Sequence, residues 1–387
     1  MKFELNEIAS VTKLAGFEFT KYINYIPDGE IIAIRALNLK NGALVLDDIK
    51  RISRDVSDNL GRSKLYKNDI VLSYTGTIGE CAQILENDKY HLAPNVCKIT
   101  PHEDKVDPNF LFQYVRSHYF KQLMINYCHG STQPTIPMAA IRTLPIEIPF
   151  DIVKQRKVAY ILMCIDNKIT INAKINKNLE EQAQAVFDLF YGQASIEVPF
   201  TSIIKIGGGG TPRTKVESYW NGDIPFFTPK DVGNPYALST EKTITSAGLE
   251  NCNSRFYPIN TTFVTARGTV GKVSLAGVPM AMNQSCYALV GENIHPILTY
   301  FYTLKTVQSL RHKASGAVFD AIVTADFKSE KLKKISGDVE VKVLSLIKPM
   351  MDCILQKSIE NSRLAQLRDT ILPRLMSGEI DVLNVED

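Results

Sequence analysis

The chain has 387 residues, 45% of them hydrophobic and 22% charged, which argues against disorder and leaves room for roughly two or three domains. A formal net charge of +3 permits nucleic-acid binding but lacks the strongly basic balance, above about pI 9, of a globally cationic binder. The seven cysteines, an odd number with no C-x-x-C pair, argue against zinc-finger and disulfide frameworks and fit a reducing cytoplasm.

In chain order, Glu4 and Glu7 stand where a signal peptide would be apolar. The longest apolar runs, such as "YILMCI" at 160–165, are far too short to span a bilayer. A cytoplasmic protein with no membrane partner is expected. A first globular domain is expected over 1–150. Within it "SYTGTIGECAQI" begins at Ser73, and "TARGTVGKVSLA" repeats the pattern from Thr265. The two G-T-[IV]-G cores start at Gly76 and Gly268, 192 residues apart. "LAPNVC", with Asn95, and "AMNQSC", with Asn283, follow at a separation of 188, as do the apolar stretches from 106 and 294. Gly130 and Gly316 then match at 186, and a Lys-Val pair opens a helical pattern at 157 and again at 342. Landmarks in one order with slowly drifting spacing indicate a duplicated domain followed by a duplicated helix; the period is too long for a solenoid.

The central helix is expected over 151–192. Its heptad places Val158, Ile165, Asn172, Leu179 and Val186 on one seam, with Ile161, Ile175, Ala183 and Phe190 beside it. Asn172 is the polar exception, of the kind that fixes register. A second globular domain is expected over 193–338, a second helix over 339–380 and a tail over 381–387. The second seam holds Val343, Met350, Leu364 and Ile371, with Ile347, Ile354 and Leu375 beside it. Lys357 interrupts that seam, and Pro349 is expected to kink the helix or delay its start. Gly192 and Gly378 are the expected helix stops. Each helix could pack on its own globular half; two narrow stripes on tandem helices point instead to an antiparallel intrachain coiled coil. The fold class is therefore α+β: two tandem pseudo-symmetric globular domains, containing both helices and strands, joined by two long helices.

The stretch "GGGGTPRTKVESYWNGDIPFFTPKDV", from Gly207 to Val232, has the look of a phosphate cradle but not its chemistry. No Gly-Lys-Ser/Thr triplet follows the glycines, Pro212 removes an N–H that a nest would use, and no dinucleotide fingerprint opens a helix. The stretch closely resembles the opening of a target recognition domain in the specificity subunit of type I restriction-modification systems. The resemblance is carried by Gly209, Gly210, Thr211, Pro212, Tyr219, Trp220, Asn221, Gly222, Asp223, Ile224, Pro225, Thr228, Pro229, Lys230 and Asp231. "NKNLEEQAQAVFDLFY" (176–191) and "LAQLRDTILPRLMSGEI" (364–380) resemble the family's two helical regions. The first half departs from the opening motif, with "KLAGFEFTKY" in its place, while "IIAIRALNLKNG" (31–42) is the counterpart of "IPFFTPKDVGN".

The resemblance implies a non-catalytic scaffold that reads a bipartite double-stranded DNA target, one half-site per domain. It implies two modification (methyltransferase) subunits carrying S-adenosylmethionine, and restriction (translocase/nuclease) subunits carrying ATP and Mg, with no cofactor or metal on this chain. The residues agree with such a role: no [ND]-P-P-[YF] motif, Walker A loop or His-Glu-x-x-His motif occurs. The competing classes are a stand-alone DNA-binding protein and an autonomous nuclease.

Candidate DNA contacts follow from side-chain chemistry. In the second domain, Thr211, Arg213 and Lys215 make the opening loop basic, and Thr228 and Lys230 end an expected strand. Arg267, Thr269 and Lys272 flank a glycine turn, which is either a plain hairpin or a close approach to phosphate. Of the cations, Arg267 suits a guanine edge and Lys230 a phosphate. Asn283 and Gln284 could pair with adenine or brace a turn. Trp220 could stack on DNA, but beside Tyr219 a lone tryptophan is expected in the core. In the first domain the counterparts are Arg35, Asn38 and Lys40, Thr75 and Thr77 in a turn that lacks both bases, and Asn95.

Overall fold

Fully buried, mostly apolar runs form the central strands: Ile31–Ile34, Ile70–Ser73 and Thr262–Thr265 are buried at every position, with only Ser73, Thr262 and Thr265 polar. Continuous apolar strands of this kind are covered on both faces. The computed structural model describes residues 2–128, 134–149, 151–233, 235–313, 321–377, 379–380 and 382. The landmarks Gly130, Gly316 and Gly378 lie outside them. The chain forms two compact units, one of residues 1–167 with 364–387, the other of residues 168–363.

In the first unit, one sheet orders Ala9–Lys13, Val96–Pro101, Ile70–Ser73 and Cys81–Gln83, all antiparallel. A second sheet orders Lys50–Ile52, Ile31–Ile34, Tyr90–Leu92 and Lys64–Leu65, with its middle pair parallel. In the second unit, a five-stranded sheet orders Ile204–Gly208, Cys286–Gly291, Thr262–Thr265, Val273–Ala276 and Tyr236–Ala237. A three-stranded sheet orders Lys242–Ile244, Trp220–Phe227 and Ala281–Met282, the last two parallel.

Strand register shows that the two domains are copies. Val96 faces Ser73 as Cys286 faces Thr265, and Cys97 faces Lys13 as Tyr287 faces Gly208. The parallel pairs match likewise, Leu92 with Ile34 and Met282 with Phe227. This register corrects one landmark. Asn95 occupies the position of Ser285, and Ala93 that of Asn283: the amides of Ala93 and Asn283 bond to the carbonyls of Ile34 and Phe227 at 3.0 and 2.9 Å. The two asparagines differ in place by two residues.

The central helix runs Ile152–Gln193, 42 residues or roughly 60 Å at about 1.5 Å per residue. Its start is capped by Asp151, whose carboxylate accepts from the Val153 amide at 2.8 Å. The second helix runs Asp338–Ser377. Pro349 neither delays nor ends it: the helix begins 11 residues earlier, and the exposed site leaves the freed carbonyl of Ser345 to water. Gly192 likewise lies inside the central helix, one residue short of its end.

The two helices pair antiparallel within each unit. In the first unit Val158, Ala159 and Leu162 share a core with Leu372 and Leu375, and Ile161 and Ile371 pack beside it. In the second, Ala183 and Phe187 share a core with Val343, Ile347, Met351 and Ile354, flanked by Leu179, Val186 and Met350. Val158, Asn172 and Val343 are fully buried, whereas Ile165, Leu179, Val186, Met350, Leu364 and Ile371 are half-buried. A strict seven-residue repeat drifts about 20° per heptad around a straight helix, so the most buried position moves to a neighbouring residue.

Candidate nucleic-acid interface

Register brings the loops of the second domain together at one end of its strands. The loop after Ile204–Gly208 is glycine because of close approach. A Cβ on Gly209 would lie 2.0 Å from the Asn283 carbonyl oxygen, and one on Gly210 would lie 2.5 Å from the Asn253 amide nitrogen. The Gly210 amide bonds the Met282 carbonyl at 3.2 Å, and the Thr211 hydroxyl donates to the Gln284 side-chain oxygen. The opening motif thus forms a hem along the 282–285 turn rather than a phosphate nest.

A second loop, Thr228–Asp231, is a tight turn. Asp231 accepts from the Thr228 amide at 2.8 Å and from its hydroxyl at 2.6 Å, and its other oxygen accepts from the Glu241 amide at 2.7 Å. Asp231 therefore builds the turn, while Lys230 at its apex is 77% exposed and pairs with Glu241 at 3.2 Å. The third loop is the Gly268–Gly271 turn, with φ of +81° and +74° at its glycines, a region costly for other residues. The Thr265 hydroxyl donates to the Thr269 carbonyl inside it, and the Arg311 guanidinium clamps it from outside, at 2.7 Å from the Gly271 carbonyl. The Thr269 hydroxyl reaches the Pro229 carbonyl at 3.4 Å, tying two loops together.

Thr211, Thr228, Lys230, Thr269, Asn283 and Gln284 are thus assembled on one face. Arg213, Lys215, Arg267 and Lys272 stand exposed, with no side-chain partner among the described residues. Asn283 is half-buried and its side-chain oxygen accepts from the Ser285 amide at 3.0 Å, the bracing role; Gln284 is exposed. Trp220 is half-buried edge-on against Phe226 at 5.7 Å, consistent with a core role.

The second and third of these loops recur in the first domain with different side chains. The Arg35 amide bonds Asn38 Oδ1 at 3.1 Å and the Asn38 amide bonds the Arg35 carbonyl at 2.9 Å, as in Thr228–Asp231. Arg35 thus stands at Thr228, Leu37 at Lys230 and Asn38 at Asp231. Asn38 is corrected as a contact candidate: it is 0% exposed, and its NH2 group donates to the Val45 and Asp48 carbonyls at 2.9 and 2.8 Å. Arg35 is also tied inward, 3.1 Å from the Asp48 carboxylate. Lys40, Thr77 and Asn95 are exposed, while Thr75 is half-buried and bridged to Thr135. The Gly76–Gly79 turn repeats the later one: Ser73 and Gly79 amides bond Glu80 and Ser73 carbonyls, as Thr265 and Gly271 amides bond Lys272 and Thr265 carbonyls. Glu80, at the place of Lys272, is held by Lys121 at 2.8 Å and by the Asn41 amide at 2.9 Å. Burial alone would raise its pKa, but these bonds outweigh burial and hold it below the ordinary carboxylate value.

Arg311 and Lys121, which buttress the two glycine turns, escape sequence reading because each lies about 40 residues downstream with no local signal. No cluster of three or more metal-ligating side chains occurs among the described residues, and no helix is long and apolar enough to cross a membrane.

The family described as "Type I restriction modification DNA specificity domain" matches residues 1–181 and again 197–333. The chain belongs to this family. It carries two such domains in tandem. It is 23% identical to the type I restriction enzyme HindI specificity subunit of Haemophilus influenzae, over 94% of this chain and 96% of that one. It is 28% identical to the MjaIX specificity subunit of Methanocaldococcus jannaschii over 42% of this chain, an alignment spanning 39% of the relative's length. The fold is similar to the crystal structure of a type I S subunit from M. genitalium, with a TM-score of 0.57, 14% identity and coverage of 97% and 96% of the two chains. The family's two recognition domains are therefore the two register-matched copies described above.

Proposed function

We propose that this chain is the non-catalytic DNA-reading subunit of a type I restriction-modification complex in the cytoplasm. Each domain presents its strand-end loops to one half of a bipartite double-stranded DNA target with a non-specific gap. The helices hold two modification subunits, which supply S-adenosylmethionine, and the complete complex adds restriction subunits with ATP and Mg. The observation that carries this reading is a pair of matching loops: 35–38 repeats the backbone hydrogen bonding of 228–231, and 73–80 that of 265–272, with unlike exposed side chains. That is the economy expected of two readers for two sequences, since base edges are read by side chains placed on a constant frame.

The test is exchange of residues 1–150 for the matching domain of another family member, read by mapping N6-methyladenine genome-wide. One half of the methylated motif changes. A change in both halves, or in neither, overturns the two-reader assignment. DNA cleavage by the purified chain alone overturns the non-catalytic one.

A further inference from the structure

The two strand-end faces share the geometry of two loops but not their charge. Lys230, Arg267 and Lys272 of the second domain are matched in the first by Leu37, Thr75 and Glu80. One face carries three cations; the other replaces them with an apolar side chain, a neutral one and a carboxylate already consumed by Lys121 and Asn41. Leu37 stands at the apex of its turn and is 54% exposed. On the same end of the strands, the segment after Lys13 forms a helix, Gly16–Tyr22, in place of the glycine loop, and none of its residues is buried. Phe17, in its first turn, is 70% exposed. Apolar side chains on a face that meets DNA gain free energy by burial against an apolar group of the partner.

We propose that the first domain reads thymine through its C5-methyl group, with Phe17 and Leu37 as the reading side chains. The inference rests on the assignment of these loops to DNA. Among the major-groove edges of the four bases, only thymine presents an apolar group; every other feature is a hydrogen-bond donor or acceptor. A face with apolar side chains at its apices, and no cation where the other domain has three, is matched to that methyl and poorly matched to phosphate. The second domain, with Lys230, Arg267 and Lys272, supplies more of the phosphate grip.

Uracil tests this directly, because it lacks the methyl yet keeps every hydrogen-bonding atom of thymine. The chain assembled with its modification subunits is titrated with cognate duplex, and with duplex carrying uracil for thymine only in the half-site assigned to the first domain by domain exchange. Affinity falls about fourfold per contacted methyl. In the Phe17→Ala, Leu37→Ala double variant the uracil penalty disappears. In Leu37→Lys part of the penalty is lost and the salt dependence of log affinity steepens by about one unit. Wild-type binding indifferent to uracil overturns the proposal. So does a penalty undiminished in the double variant. Affinity lost in the double variant while wild type ignores uracil assigns the side chains to an apolar wedge between base steps instead. A chain that shows no half-site preference at all defeats the DNA assignment beneath the proposal, a result distinct from the uracil outcomes. Both substituted residues are exposed, and Phe17→Leu, which keeps an apolar group, retains the penalty and controls for folding.

Discussion

Lys357 Nζ donates to Asn172 Oδ1 at 3.2 Å, so the polar interruption of one helical seam meets that of the other. Asn172 is 0% exposed and its NH2 group donates onward to Glu360 at 2.8 Å and Asn361 at 2.9 Å. Asn361 in turn donates to the Ile169 carbonyl at 3.2 Å, and Asn176 donates to the Ser358 hydroxyl at 3.1 Å. This polar layer forms in only one register, since a shift along either helix would bury a cation and two amides against apolar side chains.

Asn172→Ala therefore destabilises the chain by about 1–3 kcal/mol, because Lys357 and Asn361 lose a partner in a poorly solvated seam. Asn172→Leu with Lys357→Leu costs less than the two single changes summed. Urea melts of the four proteins measure the coupling; strict additivity refutes it.

Gly210→Ala places a methyl 2.5 Å from the Asn253 backbone nitrogen, where no flexible side chain can yield. A loss of about 1–3 kcal/mol is expected, with damage confined to the half-site read by the second domain. A variant with wild-type stability and methylation pattern shows that the glycine loop has room the geometry denies it.

Arg267→Ala and Lys230→Ala each flatten the salt dependence of log affinity by at most about one unit. Arg267 has the larger effect, because Lys230 already spends part of its charge on Glu241 at 3.2 Å. Relaxed preference at a single base pair after Arg267→Ala, at about 1–3 kcal/mol, assigns it to a guanine edge instead. Equal binding of both variants and wild type at every salt concentration removes this loop from the interface.

Glu80 gives a pH signature. Its folded pKa lies below the ordinary 4.5, so it binds its proton less readily folded than unfolded. The stability it contributes is present above the unfolded value and fades as pH falls through the lower folded one. Glu80→Gln is thus less stable than wild type at neutral pH, and the two converge in acid below the carboxylate range. Acid titration of both proteins by circular dichroism checks this; a constant gap refutes it.

Matched insertions of one heptad, after Thr170 and after Arg363, keep both seams in phase. Each lengthens its helix by roughly 10 Å, about three base pairs. The gap in the methylated motif widens accordingly. An unchanged gap separates helix length from target spacing.

Much of this was legible in the residues. The G-T-[IV]-G turns announced the repeat because two glycines at positive φ admit few alternatives, and the heptads announced the helices because burial enforces their period. Asn38 was misread because a buried cap and an exposed reader use the same amide, and only its three partners distinguish them. The two-residue slip between Asn95 and Asn283 arose because the two turns have the same length but carry their Asn at different positions, so the nearest Asn is not the structural match. Pro349 does not set the start of the helix: an exposed mid-helix proline forfeits one hydrogen bond, and a helix held along a long seam continues through it.

The division into compact units has a consequence for biosynthesis. Residues 168–363 form one unit from an uninterrupted segment, whereas the other needs the start of the chain and residues from Leu364 onward, with Leu372 and Leu375 completing its core. On the ribosome the first domain emerges first, yet its largest core is not complete until Leu372 and Leu375 have left the exit tunnel. The domain encoded second is the one that can finish folding earlier, and a nascent chain halted before Leu364 carries its N-terminal half with an open apolar face.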